Sequence, residues 1–267
     1  MFKSFKHIFQ VIQMNKQQIL DLMSQADRMR NPIRKYLNTV VCLFDHPTPT
    51  LWSFQAAAMK LGCPVITLPE EQIHSAEAYG DMVVTNPETT QNQETECLAD
   101  LYALVKELDL RCIDLDSIQR EPLQVTFIGE SRSVQAFAYL LQRFPKIDFH
   151  YVKQEIEPSV LEETDVFYVS REGLVVDKDL LNQTKATAIF MRSQPYGETE
   201  IWHNPRCIYS RQEAHGVYMR MAILDQSLSK LSWPTVYEAC WMVIDILYQI
   251  TNGWSIFTGS PLVSTGV

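Results

Sequence analysis

Residues Thr39-Val-Val-Cys-Leu-Phe44, Asp45-His-Pro-Thr-Pro-Thr50 and Leu51-Trp-Ser-Phe-Gln-Ala-Ala-Ala-Met-Lys-Leu61-Gly62 read in succession as strand, loop and helix. The first run is apolar and β-branched. In the third, Leu51, Phe54, Ala58 and Leu61 recur at helical spacing, and Gly62 stands where a left-handed residue ends a helix. A helix that opens directly behind a strand aims free N–H groups, and the positive end of its dipole, at whatever occupies the loop between them. That is the framework of an anion site, but Asp45 to Ser53 contains no Lys or Arg, and Pro47 and Pro49 each remove a backbone donor. Thr48 and Thr50 remain as candidate anion contacts, with helix capping as their plainer role.

The same alternation extends in both directions. Asn15 can cap a helix whose third residue, Gln18, reaches back, with Ile19, Leu22, Met23, Ala26 and Met29 at helical spacing and Asn31-Pro32 to end it. Strands are predicted over Pro64 to Leu68 and Asp81 to Thr85, and a helix from about Thr95 to Leu108. A charged connector, Asp109 to Pro122, separates these from a second set. That set comprises strand Leu123 to Ile128, helix Val134 to Arg143, strand Ile147 to Val152, a short acidic helix near Glu157, strand Asp165 to Ser170 and strand Ala186 to Met191. Two helices follow, Gln212 to Leu228 and Pro234 to Ile250. Apolar strands alternating with helices predict an α/β fold of two doubly wound parallel-sheet domains bridged by long helices. The expected division is 1–118 plus 222–267 for one domain and 119–221 for the other.

The chain has 267 residues, 46% hydrophobic and 21% charged, enough for one large core or two modest ones. A net charge of −9 argues against a nucleic-acid or anionic-membrane surface. No apolar run reaches the length of a membrane span, and the first residues lack a secretory pattern, so a cytoplasmic location is expected. The six cysteines include no pair at two-residue spacing, which points to reduced, buried side chains rather than to a metal site. No metal and no cofactor is expected. His46, His150, His203 and His215 are isolated in sequence and read as structural or exposed.

Six stretches, in order, resemble the aspartate and ornithine carbamoyltransferase family, nearest the aspartate carbamoyltransferase catalytic chain. Pro47-Thr48-Pro49-Thr50-Leu51 stands where the family's carbamoyl-phosphate loop reads Ser-Thr-Arg-Thr-Arg, with the following Ser53-Phe54 kept. Asn92-Gln-Glu-Thr95-Glu96-Cys-Leu98-Ala-Asp100-Leu101 is similar to His-Pro-Thr-Gln-Thr-Leu-Leu-Asp-Leu, with Gln93 at the histidine and Glu96 at the glutamine. In the family those side chains contact the carbamoyl group. Val125 to Gln135 resembles the strand that leads to a substrate arginine; Gln135 occupies that place, with Arg132 one helical turn earlier. Asp165 to Arg171 is similar to Asp-Ile-Leu-Tyr-Met-Thr-Arg, which makes Arg171 the retained arginine for an amino-acid carboxylate. Arg192-Ser-Gln-Pro195-Tyr196 replaces His-Pro-Leu-Pro-Arg. Gln212 to Leu224 matches the family helix Gln-X-X-Asn-Gly-Val-X-X-Arg-Met-Ala best of all.

The resemblance implies a degenerate carbamoyl-phosphate domain and an amino-acid-binding domain. Thr48, Thr50 and Thr95 would be the remnant of the first site, and Arg171 and Arg132 the carboxylate contacts of the second. It also exposes a deletion: the segment from Gly62 to Gln93 is shorter than the family's, and no Lys lies between Lys60 and Lys106, so the lysine loop lent by a neighbouring subunit is missing. Carbamoyl transfer needs fixed cationic donors, each worth on the order of 100-fold to 1000-fold in rate. Loss of the family's activity is therefore expected, leaving a pseudoenzyme with a structural or regulatory role. It is expected to associate as a homotrimer or with a protein partner and to hold carbamoyl phosphate or a carboxylate weakly. The alternatives are a diverged carbamoyltransferase in pyrimidine or amino-acid metabolism and a carboxylate-metabolite sensor.

Overall fold

A computed structural model describes residues 14–32, 36–85, 94–110, 122–129, 132–144, 146–153, 156–170, 176–193 and 200–229, apart from the side chains of Glu77, Glu94, Arg132, Ser133 and Trp202. The chain divides into two compact units, Met1–Asp225 and Gln226–Val267. Of the second, only residues 226–229 are described, and they finish a helix; everything below concerns the first.

Helix α1 (Lys16–Arg28) opens on the capping box that the sequence predicts: Asn15 Oδ1 accepts from Gln18 N–H and Gln18 Oε1 from Asn15 N–H, both at 2.9 Å. Strand β1 (Val40–Leu43) leads through the threonine loop to α2 (Pro49–Lys60), which ends before Gly62 at φ 86°. Strand β2 (Val65–Leu68), helix α3 (Ile73–Tyr79) and strand β3 (Met82–Thr85) follow. The three strands form a parallel sheet in the order β2-β1-β3. Every residue of β1 is buried: Val41 and Leu43 pack with Ala76 of α3, and alternation leaves Val40 and Cys42 to the opposite face. Gly80 lets β1 come close, since a Cβ there would lie 2.5 Å from Val41 Cγ2.

The long helix α4 (Glu94–Leu110) leads toward the second set of elements. There, strands β4 (Leu123–Ile128), β5 (Ile147–Val152), β6 (Val166–Val169) and β7 (Ile189–Arg192) make a parallel sheet in the order β5-β4-β6-β7. Helices α5 (Arg132–Leu141), α6 (Pro158–Glu163) and α7 (Lys178–Asn182) cover it. Phe127, Phe137 of α5 and Tyr168 fill one face, with ring centroids 4.6 to 6.2 Å apart. Ile128, Phe167, Val169 and Phe190 fill the other with Leu161 of α6 and Leu180 and Leu181 of α7. Helix α8, residues 209–229, runs back from the second sheet. Its buried Met219, Met221, Ala222, Ile223 and Leu224 show why so apolar a run belongs in the interior.

Both predicted parallel sheets are present, and β4 and β5 have the predicted limits. Strand β7 starts at Ile189 rather than Ala186 because a turn, closed by Ala188 N–H to Lys185 C=O at 3.0 Å, precedes it. Helices α3 and α7 are additions. The predicted helix Pro234 to Ile250 lies outside the described residues. Cys42, Cys63, Cys97 and Cys207 are free and buried, as expected.

Candidate functional site

Thr48 caps α2. Its Oγ1 accepts from Leu51 N–H at 3.1 Å, and Pro49 takes the first helical position, where a missing donor costs nothing. Thr50 is nearly buried and turns its hydroxyl away from the helix, donating to Glu96 Oε1 at 2.5 Å. Glu96 lies in the first turns of α4. The same Oε1 accepts from Arg220 Nη2 at 2.5 Å, and Arg220 Nη1 donates to Ser53 Oγ at 3.1 Å. The guanidinium carbon of Arg220 sits 5.2 Å from the centre of the Phe54 ring. A carboxylate from α4 and a guanidinium from α8 thus meet over the first turns of α2.

Burial acts to raise the Glu96 pKa, but the Arg220 charge, with hydrogen bonds from Arg220 and Thr50, outweighs it and holds the carboxyl below its ordinary value of 4.5. Glu96 is an anion at neutral pH. Arg220 itself is 3% exposed, and its Nε lacks a partner among the described residues. Gly216, one turn earlier on α8, makes its position possible: a Cβ there would come within 2.8 Å of Arg220 Nη1 and 3.5 Å of Ala99 Cβ.

One turn beyond Glu96, the buried Asp100 accepts from Tyr168 O–H at 2.6 Å and from Gln212 Nε2 at 2.5 Å. Gln212 also donates to Arg192 C=O at 2.6 Å and accepts from Arg192 N–H at 3.2 Å. Asp100 therefore ties α4 to β6, to the end of β7 and to α8. Burial pushes its carboxyl up to about 7 despite the two hydrogen bonds. Farther along α4, Glu107 receives Arg211 of α8 in a forked pair, Nε at 3.0 Å and Nη2 at 3.2 Å.

Thr50, Ser53, Glu96, Asp100, Gln212 and Arg220 help line a cavity of about 540 Å³ walled by α2, α4, α8 and the end of β7. It lies beyond the carboxyl end of β1, the central strand on whose two sides β2 and β3 are laid down, where ligands of open α/β sheets bind. Glu96, Asp100 and Glu213 contribute carboxylates to the wall, and Arg192 and Arg220 the cations. Of the residues that the sequence nominates, Thr50 lines the cavity, and Thr48 is spent on capping. Thr95 has a buried Oγ1 without a partner among the described residues. The backbone of Arg132 opens α5; its side chain, and all of Gln93 and Arg171, lie outside the described residues. Arg220, Tyr168 and Gln212 lie within stretches that the sequence matches to the family, but they are not nominated there as site residues. Among the described residues, no three His, Cys, Asp or Glu side chains are grouped to hold a metal, and no helix is long and apolar enough to cross a membrane.

No protein-family model matches the chain. It is 25% identical to the chloroplastic aspartate carbamoyltransferase of Arabidopsis thaliana, over 68% of this chain and 65% of that protein. It is 22% identical to the aspartate carbamoyltransferase catalytic subunit of Methanocaldococcus jannaschii, over 69% and 66%. The chain thus spans about two thirds of the length of these curated relatives. The Arabidopsis alignment runs over 264 positions while taking in 68% of these 267 residues, so it crosses stretches of the relative that have no counterpart here. Among solved structures, ligand-free aspartate transcarbamoylase from Trypanosoma cruzi superposes with a TM-score of 0.68 at 19% identity, covering 82% of this chain and 94% of that one. In sequence the chain is thus similar to the aspartate carbamoyltransferases, and its fold is that of aspartate transcarbamoylase.

Proposed function

We propose that the chain is a carbamoyltransferase-like pseudoenzyme, without carbamoyl-transfer activity, that acts in the cytoplasm through protein contacts in a structural or regulatory role. The observation that carries this reading is the Glu96 carboxylate bound to the Thr50 hydroxyl and the Arg220 guanidinium. Arg220, the buried cation among the described residues of the cavity wall, is neutralised from within. A phosphorylated donor arriving there would meet Glu96 with like charge, and the sequence offers no Lys or Arg between Lys60 and Lys106 to offset it. In this reading 1–118 plus 222–267 form the degenerate carbamoyl-phosphate domain, and 119–221, with Arg132 and Arg171, the amino-acid-binding domain.

The deciding experiment follows phosphate release from carbamoyl phosphate in the presence of aspartate. No release above background is expected; turnover abolished by Arg171→Ala would reject the proposal. Homotrimeric assembly belongs to the same reading, and light scattering on the purified chain measures it, a strict monomer removing that part. A carboxylate-metabolite sensor is the second reading, favoured by the Arg220 Nε that lacks a partner among the described residues. Calorimetry against small dicarboxylates tests it, and heat that vanishes in Arg220→Ala is the result it requires.

A further inference from the structure

Strand β5 ends the second sheet. Its six residues pair in register with β4, Ile147 opposite Leu123 and Val152 opposite Ile128, and among the described residues no strand lies on its other side. Leu123 N–H donates to Lys146 C=O at 2.9 Å and Gly129 N–H to Val152 C=O at 2.8 Å. In a parallel ladder of period two, the even-numbered residues of β5 therefore aim their amides and carbonyls at β4. Ile147, Phe149 and Tyr151 aim theirs at the open edge. Ile147 N–H is satisfied locally by Phe144 C=O at 3.2 Å, which leaves the amides of Phe149 and Tyr151 and the carbonyls of all three without a backbone partner among the described residues. Edge strands of soluble proteins are usually blunted by proline, an inward charge or an internal lysine. Ile147-Asp-Phe-His-Tyr-Val152 has no Pro or Lys, and Tyr151 is 57% exposed.

We propose that this edge binds a second copy of the chain, the two β5 strands pairing antiparallel about a two-fold axis at Phe149. Only odd residues facing odd residues bring outward-pointing groups together, so the axis must pass through a residue and not between two. An axis at Asp148 would set Asp148 against itself, and one at His150 would set His150 against itself. With the axis at Phe149, Asp148 of each copy faces His150 of the other, both exposed, in the closely spaced non-hydrogen-bonded positions where side chains meet. Asp148 is lightly engaged at present, accepting from Gln124 Nε2 at 3.5 Å. In the same register each Phe149 N–H meets the other copy's Phe149 C=O, and each Tyr151 N–H the other copy's Ile147 C=O. The two four-stranded sheets become one continuous sheet.

Sedimentation velocity on the full chain tests the register. His150→Asp makes both facing pairs repulsive and is expected to weaken association by about tenfold or more, halving the mass of the assembly. Asp148→His combined with His150→Asp exchanges the pair and is expected to restore the wild-type mass. Both positions are exposed, and circular dichroism confirms that the variants fold. An assembly unchanged by His150→Asp, a double variant no better than the single one, or a wild type that never associates through an even number of chains would overturn the proposal.

Discussion

Arg220 Nη2 lies 2.5 Å from Glu96 Oε1, although the two residues stand 124 positions apart in the chain. Ser53 and Thr50 of α2 complete the contact, one accepting from Arg220 and the other donating to Glu96. A side-chain anion and its cation thus lie over the start of α2, the end at which a helix dipole favours negative charge. Binding an external anion at Arg220 Nη2 requires it to exchange one carboxylate for another ligand, and Glu96 would remain charged beside it.

Glu96→Gln tests that reading directly. The amide keeps the shape and can still accept from Thr50, but Arg220 loses its counter-charge. Removing one partner of a largely buried pair should cost about 2 kcal/mol here, less than for a fully enclosed pair because Glu96 retains 23% side-chain exposure. In return, inorganic phosphate should raise the melting temperature of the variant and leave the wild type unmoved. An equal response of the two proteins would mean that Glu96 does not guard the site.

Acid and base should act on the two neighbouring carboxylates in opposite directions. Burial raises Asp100 to about 7 against an ordinary 3.8, so between those values the folded chain holds a proton that the unfolded chain has released. Stability should fall as pH rises from about 4 to about 7, by at most about 1.4 kcal/mol per pH unit. Glu96, whose carboxyl is held below 4.5, contributes stability that is present above that value and lost as pH drops through its lower native pKa. Urea midpoints of the wild type and Asp100→Asn measured from pH 4 to 8 separate the two effects. The variant should lose the decline above pH 4, and parallel curves would remove Asp100 as its source.

Local chemistry was legible in the sequence wherever its cause was local. The Asn15 capping box, the left-handed Gly62 and the apolar strands β4 and β5 follow from neighbours within a few residues. Helices α3 and α7 were not, because seven and five residues are too short to display a period, and of the described side chains in α3 only Ala76 is among the buried core residues. Glu96 was legible as a changed charge. Its partner was not, since Arg220, like Tyr168 and Gln212 at Asp100, arrives from a distant part of the chain. The Gly216 of the best-matched motif gains its reason only in three dimensions, as the space that Arg220 Nη1 occupies.

Tyr36 and Gln25 both donate to the buried Asp225, Gln25 Nε2 at 2.5 Å, and so fix α1 to α8. Tyr36→Phe deletes one donor and leaves a carboxylate oxygen short of a partner. Unfolding in urea should show a loss of about 1–3 kcal/mol. A loss within error of zero would show that Gln25 or water satisfies Asp225 alone.

Gly80→Ala tests how tightly β1, and with it the threonine loop, is held. The backbone itself permits alanine, since Gly80 has φ −115°, and a Gly→Ala change at a compatible position should stabilise by about 0.4–1 kcal/mol through the unfolded chain. Space decides otherwise. The new methyl would lie 2.5 Å from Val41 Cγ2, 3.2 Å from Ala76 O and 3.3 Å from Met82 O. Two of these neighbours are backbone, and the third belongs to a β-branched side chain with 0% exposure on the central strand. Overpacking of this kind costs about 1–3 kcal/mol, so a net loss is expected on urea unfolding. Adding Val41→Ala opens the space, and the double variant should be more stable than the sum of the two single losses predicts. Strict additivity, or a Gly80→Ala protein at least as stable as the wild type, would show that α3 can shift to admit the methyl without disturbing β1.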